Sequence, residues 1–106
     1  MSYRFMRIMV FFDLPVTTEE HRRSYRKFRK LLEQEGFVMM QESVYCKITL
    51  NATMTDLVKN KLRHGKPQDG LVQILTVTEK QFASIENLVG GNKYSAVNND
   101  ARFVVL

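Results

Sequence analysis

Asp13 closes an apolar run, Ile8-Met9-Val10-Phe11-Phe12, and is followed at once by Leu14-Pro15. A carboxylate is a hard oxygen donor suited to a divalent cation such as magnesium. Shortly after it comes a run of cations, Arg22, Arg23, Arg26, Lys27, Arg29 and Lys30, with no acid between the first and the last. An acid that holds a metal, close to a surface that holds phosphate, is the pairing that phosphodiester chemistry needs. The plainer reading is that Asp13 only ends a strand and shapes a turn, and that the cations form a solvated face. The other reactive residues add little. His21 and His64 lack ligand-type spacing, and no nucleophile with its base stands out. Hydrolysis would therefore rest on a metal-activated water rather than on a side-chain base.

These groups need rigid mounts, and the pattern supplies them. Arg4 to Asp13 reads as a strand whose second half is apolar on both faces, which fixes Asp13 at a rim, and proline bars the strand from continuing in mid-sheet. A helix follows, with Thr17 and Glu20 as its capping box, a run to Glu35, and Gly36 just past its end. At about 100° per residue, His21, Ser24, Tyr25, Phe28, Leu31 and Leu32 share the core arc and the six cations fill the opposite one. His21 is accordingly expected to be a packed, hydrogen-bonded residue. Phe37 to Leu50 reads as one long bent strand, or as two strands pinched near Glu42 and Ser43. Asn51 caps a second helix with an apolar stripe of Met54, Leu57, Val58 and Leu62, a basic outer side, and an end at Gly65 and Pro67. Leu71 to Thr78 is a strand apolar on both sides, Glu79 to Val89 a short helix, Gly90-Gly91-Asn92 a loop, and Phe103 to Leu106 a terminal strand in need of a partner.

A chain of 106 residues with 44% hydrophobic content fits one domain spanning 1–106. A net charge of +5 and a pI near 9.6 favour an anionic partner. No apolar run near the N-terminus approaches a membrane span or an export signal, so no membrane role is expected. The single Cys46 excludes an intramolecular disulfide, fits a reducing cytoplasm, and is expected to be a small buried strand residue. The element order is the split βαβ, or ferredoxin-like, α+β pattern with an added C-terminal strand. Two helices cover one face of a four-stranded sheet, yet the first and last of its strands are apolar on both. A second copy stacked sheet to sheet is the expected cover, with the terminal strand pairing with the partner subunit's sheet edge.

Four segments, Phe12-Asp13-Leu14-Pro15, Glu35-Gly36-Phe37, Gln41-Glu42-Ser43-Val44-Tyr45 and Leu75-Thr76-Val77-Thr78-Glu79-Lys80-Gln81-Phe82, occur in the order and spacing of one family. The chain resembles the second CRISPR-associated protein family, Cas-two, and above all members from systems that use a Cas-nine effector. The resemblance runs from Arg7 to Leu106. It implies a ferredoxin-like homodimer acting in spacer acquisition, lying along captured duplex DNA and bridging two dimers of the Cas-one integrase. It further implies a magnesium-dependent endonuclease acting on RNA or double-stranded DNA, with Asp13 as the metal ligand and catalytic residue. Where many relatives carry an acid after the Ser-Val-aromatic segment, this chain has Cys46-Lys47, which removes one auxiliary carboxylate. A purely structural DNA-binding adaptor is the competing expectation. The glycine-rich aromatic signature of RNA-recognition modules is missing.

Overall fold

The computed structural model describes residues 5–90. Its elements are β1 (Met6–Asp13), α1 (Glu19–Gln34), β2 (Val38–Gln41), β3 (Val44–Thr49), α2 (Ala52–His64), β4 (Leu71–Thr78) and α3 (Glu79–Ala83). The strands form one antiparallel sheet in the order β2-β3-β1-β4. This is the ferredoxin-like arrangement, and the segment 37–50 is two strands turning at Glu42 and Ser43.

Side chains alternate across a strand, so the register assigns the two faces. Ile8, Val10 and Phe12 of β1 join Phe28, Leu32, Tyr45, Val58 and Leu62 in the core beneath the helices. Phe12 sits at its centre, edge-on to Phe28 at 5.4 Å and to Tyr25 at 6.1 Å, and 5.7 Å from Tyr45. Tyr25 and Tyr45 are thus packing residues. The helix ends follow local chemistry. The Thr18 side chain accepts from the His21 N–H, so the cap lies one residue later than Thr17 and the capping box with Glu20 does not form. At the other end Gly36, with φ of 90°, lets Gly36 and Phe37 N–H groups bond back to Glu33 and Leu32 carbonyls, and the buried Phe37 and Leu32 bracket the turn. Asn51 caps α2 as expected, accepting from Met54 N–H at 2.9 Å.

Two expectations need correction. In α2 the buried residues are Thr55, Val58 and Leu62, whereas Met54 and Leu57 are exposed, Leu57 at 58%. The stripe is narrower because Thr55 takes a core position: its hydroxyl pairs with buried Thr49 at 2.6 Å. Next, α3 ends at Ala83 rather than Val89. Thr78 and Gln81 give it a full capping box, but Ile85, Leu88 and Val89 stay exposed, so no packing extends the helix beyond its first turns. The Gly91-Asn92 part of the loop and the terminal strand 103–106 lie outside the described residues.

Candidate functional site

Asp13 is the last residue of β1, paired with Leu71 of β4, and its side chain is exposed on the face turned away from the helices. The six ion pairs among the described residues leave its carboxylate out. Its backbone is held tightly. Gly70, with φ of 96°, passes so close that a Cβ there would lie 2.8 Å from the Asp13 carbonyl oxygen and 2.7 Å from Leu14 Cδ2. A left-handed backbone and this crowding both demand glycine. Gly70→Ala is expected to cost about 2 kcal/mol through strain at that position, read as a lower urea midpoint with unchanged slope. An unchanged midpoint would show that the contact relaxes freely.

The same face carries Met9 and Phe11 of β1, opposite Cys46 and Val44 of β3 and Leu75 and Gln73 of β4. It is apolar and open in part: Leu71, Leu75 and Ile48 are each about half exposed and Val38 is 65% exposed, while Met9 and Cys46 at its centre are buried. At its far end Arg7 donates from Nε and Nη2 to the two Glu79 carboxylate oxygens at 2.8 and 2.9 Å. Its guanidinium lies 4.0 Å from the Phe82 ring centre, and Nη1 donates to Cys46 Sγ at 3.5 Å. Burial works against the Arg7 charge, but the hydrogen bonds to Glu79 and Cys46 outweigh it and hold the group above its ordinary range. Arg7 therefore stays a cation and ties α3 to the sheet. Cys46 is buried under it, the structural role expected.

The six cations of α1 separate into two rows. Arg22 pairs with Glu19 at 3.1 Å, Arg26 with the same Glu19 at 3.5 Å, and Arg29 with Glu33 at 3.8 Å. Arg22 also donates to the Val16 carbonyl, and Arg29 to the buried Tyr45 hydroxyl at 3.2 Å. Arg23, Lys27 and Lys30 are exposed, and among the described residues no ion pair engages them. The helix and Asp13 stand on different layers: the cations cover the back of the helix, and Asp13 lies on the opposite side of the sheet at its rim. His21 is the packed residue expected, its Nε2 donating to Asp69 at 3.1 Å, and His64 Nδ1 donates to the Asn60 carbonyl.

Among the described residues no three His, Cys, Asp or Glu side chains gather as a metal cage. The donor chemistry of Asp13 suits magnesium, which keeps several waters and is satisfied by one or two carboxylates with phosphate oxygens. Pattern reasoning missed Gly70, Arg7 and Glu79. A glycine directly before a strand was the visible signal for the first; the other two lie 72 positions apart and carry no local signal.

A four-stranded antiparallel sheet in the order β2-β3-β1-β4, with α1 and α2 on one face and an acid at its rim, defines a class, the small ferredoxin-like α+β proteins. Sequence comparison narrows that class: residues 6–85 match the model of the family described as CRISPR associated protein Cas2. A CRISPR-associated endoribonuclease Cas2 of Treponema denticola is 50% identical, the match covering 95% of this chain and 100% of the relative. Its counterpart in Streptococcus mutans UA159 is 46% identical, covering 95% and 93%. A solved structure described as a crystal structure of Cas2 superposes with a TM-score of 0.59 at 20% identity, over 91% of this chain and 98% of that one. The chain belongs to the Cas2 family.

Proposed function

We propose that this chain acts in CRISPR adaptation as a homodimer that binds duplex DNA, bridges integrase dimers, and cleaves phosphodiester bonds in a magnesium-dependent reaction centred on Asp13. The observation that carries the reading is the placement of Asp13: an exposed carboxylate outside the ion pairs among the described residues, on a backbone clamped by Gly70, at the edge of an apolar sheet face. The name of the relatives, endoribonuclease, supports RNA cleavage, with double-stranded DNA the other substrate class that the family resemblance implies. Burying the open face against a second copy removes the exposed apolar surface and doubles every group, so two Asp13 carboxylates and two cationic helices serve one assembly. Asp13 would hold the ion. Bound there, magnesium would supply charge neutralisation at phosphate and a more acidic water. The protein's own part is to fix the carboxylate and to bring the phosphate chain to it.

The second reading is an adaptor without catalysis, favoured because among the described residues no cluster of three metal-ligating side chains forms around Asp13. Asp13→Asn and a charge-neutralised α1 separate the two, each assayed for cleavage and for spacer integration with the integrase. Asp13→Asn is expected to lower cleavage by about a hundredfold, close to 3 kcal/mol of transition-state stabilisation, while duplex binding persists. Cleavage at the wild-type rate by that variant sinks the nuclease reading. Normal integration by it makes catalysis dispensable for acquisition.

A further inference from the structure

We infer that duplex DNA is held by one row of α1 only, a phosphate rail of Arg23, Lys27 and Lys30, while Arg22, Arg26 and Arg29 are internal braces. This deepens the DNA-binding part of the proposal above and rests on it. The division follows from helix geometry. Residues three and four apart stand above one another, so Glu19, Arg22, Arg26, Arg29 and Glu33 form one row and Arg23, Lys27 and Lys30 the adjacent one. The first row begins and ends in an acid, and each of its arginines is within 4 Å of one. Its guanidiniums also hold the Val16 carbonyl before the helix and the Tyr45 hydroxyl in the sheet. To contact a phosphate, each would exchange an existing partner, so little net charge is gained.

The second row differs in its pairing, not in its exposure, since Arg22 and Arg26 are exposed as well. Its three side chains are exposed, with no ion pair among the described residues. From Arg23 to Lys30 the helix rises about 10 Å. One strand of duplex DNA carries a phosphate for about every 3.4 Å of duplex axis, so a row of this length is long enough to meet more than one phosphate. At its N-terminal end Arg23 and Lys27 border a cleft of about 300 Å³ behind Leu14 and Pro15. Two acids share that cleft: Asp69, which holds His21, and Glu20, which marks where the rail stops. Lysine and arginine heads of this kind bind phosphate without reading bases, so the rail sets affinity and position rather than sequence preference.

The test measures binding of the full chain to a mixed-sequence DNA duplex by fluorescence anisotropy between about 50 and 200 mM salt. Arg23→Gln/Lys27→Gln/Lys30→Gln is compared with Arg22→Gln/Arg26→Gln, with Arg23→Lys as the charge-preserving variant. Each lost phosphate contact lowers the slope of log affinity against log salt by about 0.9, so the rail variant is expected to lose about 2.7 per engaged helix. The paired-arginine variant is expected to lose less than about one, and Arg23→Lys to keep the full slope. Equal losses in the two multiple variants, or a larger loss in the paired-arginine one, overturn the rail but leave DNA binding by α1 standing. A slope unchanged in both variants removes α1 from phosphate contact and overturns the rail, whereas absence of duplex binding by the unmutated chain overturns the DNA-binding reading itself.

Discussion

Leu75→Asp is expected to leave the chain folded and to convert the proposed homodimer into a monomer. Leu75 lies on β4 directly opposite Met9 in the middle of the open face and is half exposed in the isolated chain. In the monomer an aspartate there reaches water at little cost. Within a dry sheet-to-sheet interface each charge is unpaired, and symmetry introduces it twice. A penalty of about 3 kcal/mol raises the dimer dissociation constant about a hundredfold or more. Sedimentation velocity over a dilution series reads this directly. Leu57→Asp is the control, because Leu57 is equally exposed but belongs to the helix layer. Dissociation caused by Leu57→Asp and not by Leu75→Asp would move the interface to the helices.

Phe28→Ala carries the largest expected loss of stability. Phe28 is 2% exposed and stacks edge-on against Phe12 at 5.4 Å. Removing a buried phenyl group costs about 3–5 kcal/mol, the transfer of the ring plus the cavity it leaves. Against a total of about 5–15 kcal/mol that is a large share, and a melting temperature lower by about 12 °C or more is expected. The loss also reaches the site: Phe12 precedes Asp13, and its ring is held by Phe28, Tyr25 and Tyr45. A shift of only a degree or two would mean that the core collapses into the space.

The places where sequence reading succeeded share a physical cause. Thr, Asn and Gly at helix ends act through bonds that span a few residues, so the approximate bounds of α1 and α2 were legible from local chemistry. Strand alternation groups Asp13 with Met9 and Phe11, but with both faces of β1 apolar only the folded core shows which group lies beneath the helices. Where reading failed, the decisive partner was distant or absent. Met54 and Leu57 have the spacing of a buried stripe, but spacing cannot tell whether another element arrives to cover them. The residues from Ile85 to Val89 keep helical spacing and yet leave the helix, since nothing packs on them. The run from Arg22 to Lys30 looked uniformly cationic because its neutralising acids, Glu19 and Glu33, stand just outside it. Helix arithmetic at three and four residues offers an acid to either row, Glu19 and Glu33 to one and Glu20 to the other, so only the folded side chains show which row is paired. Gly70 against Asp13 spans most of the chain, and only folding brings them together.

The earliest of the described strands in chain order is one of the two that sit inside the sheet. β1 has β3 on one side and β4 on the other, and Arg7 finds its acid only at Glu79. As the chain leaves the ribosome, Met6 to Asp13 thus waits without a neighbour until Val44 emerges, and one flank stays bare until Thr78. Long-range pairing of this kind is slow and leaves unpaired edges in the meantime. Until β4 emerges the nascent chain displays an apolar ribbon along one flank of β1, and completion of the described sheet coincides with arrival of Glu79, which locks Arg7.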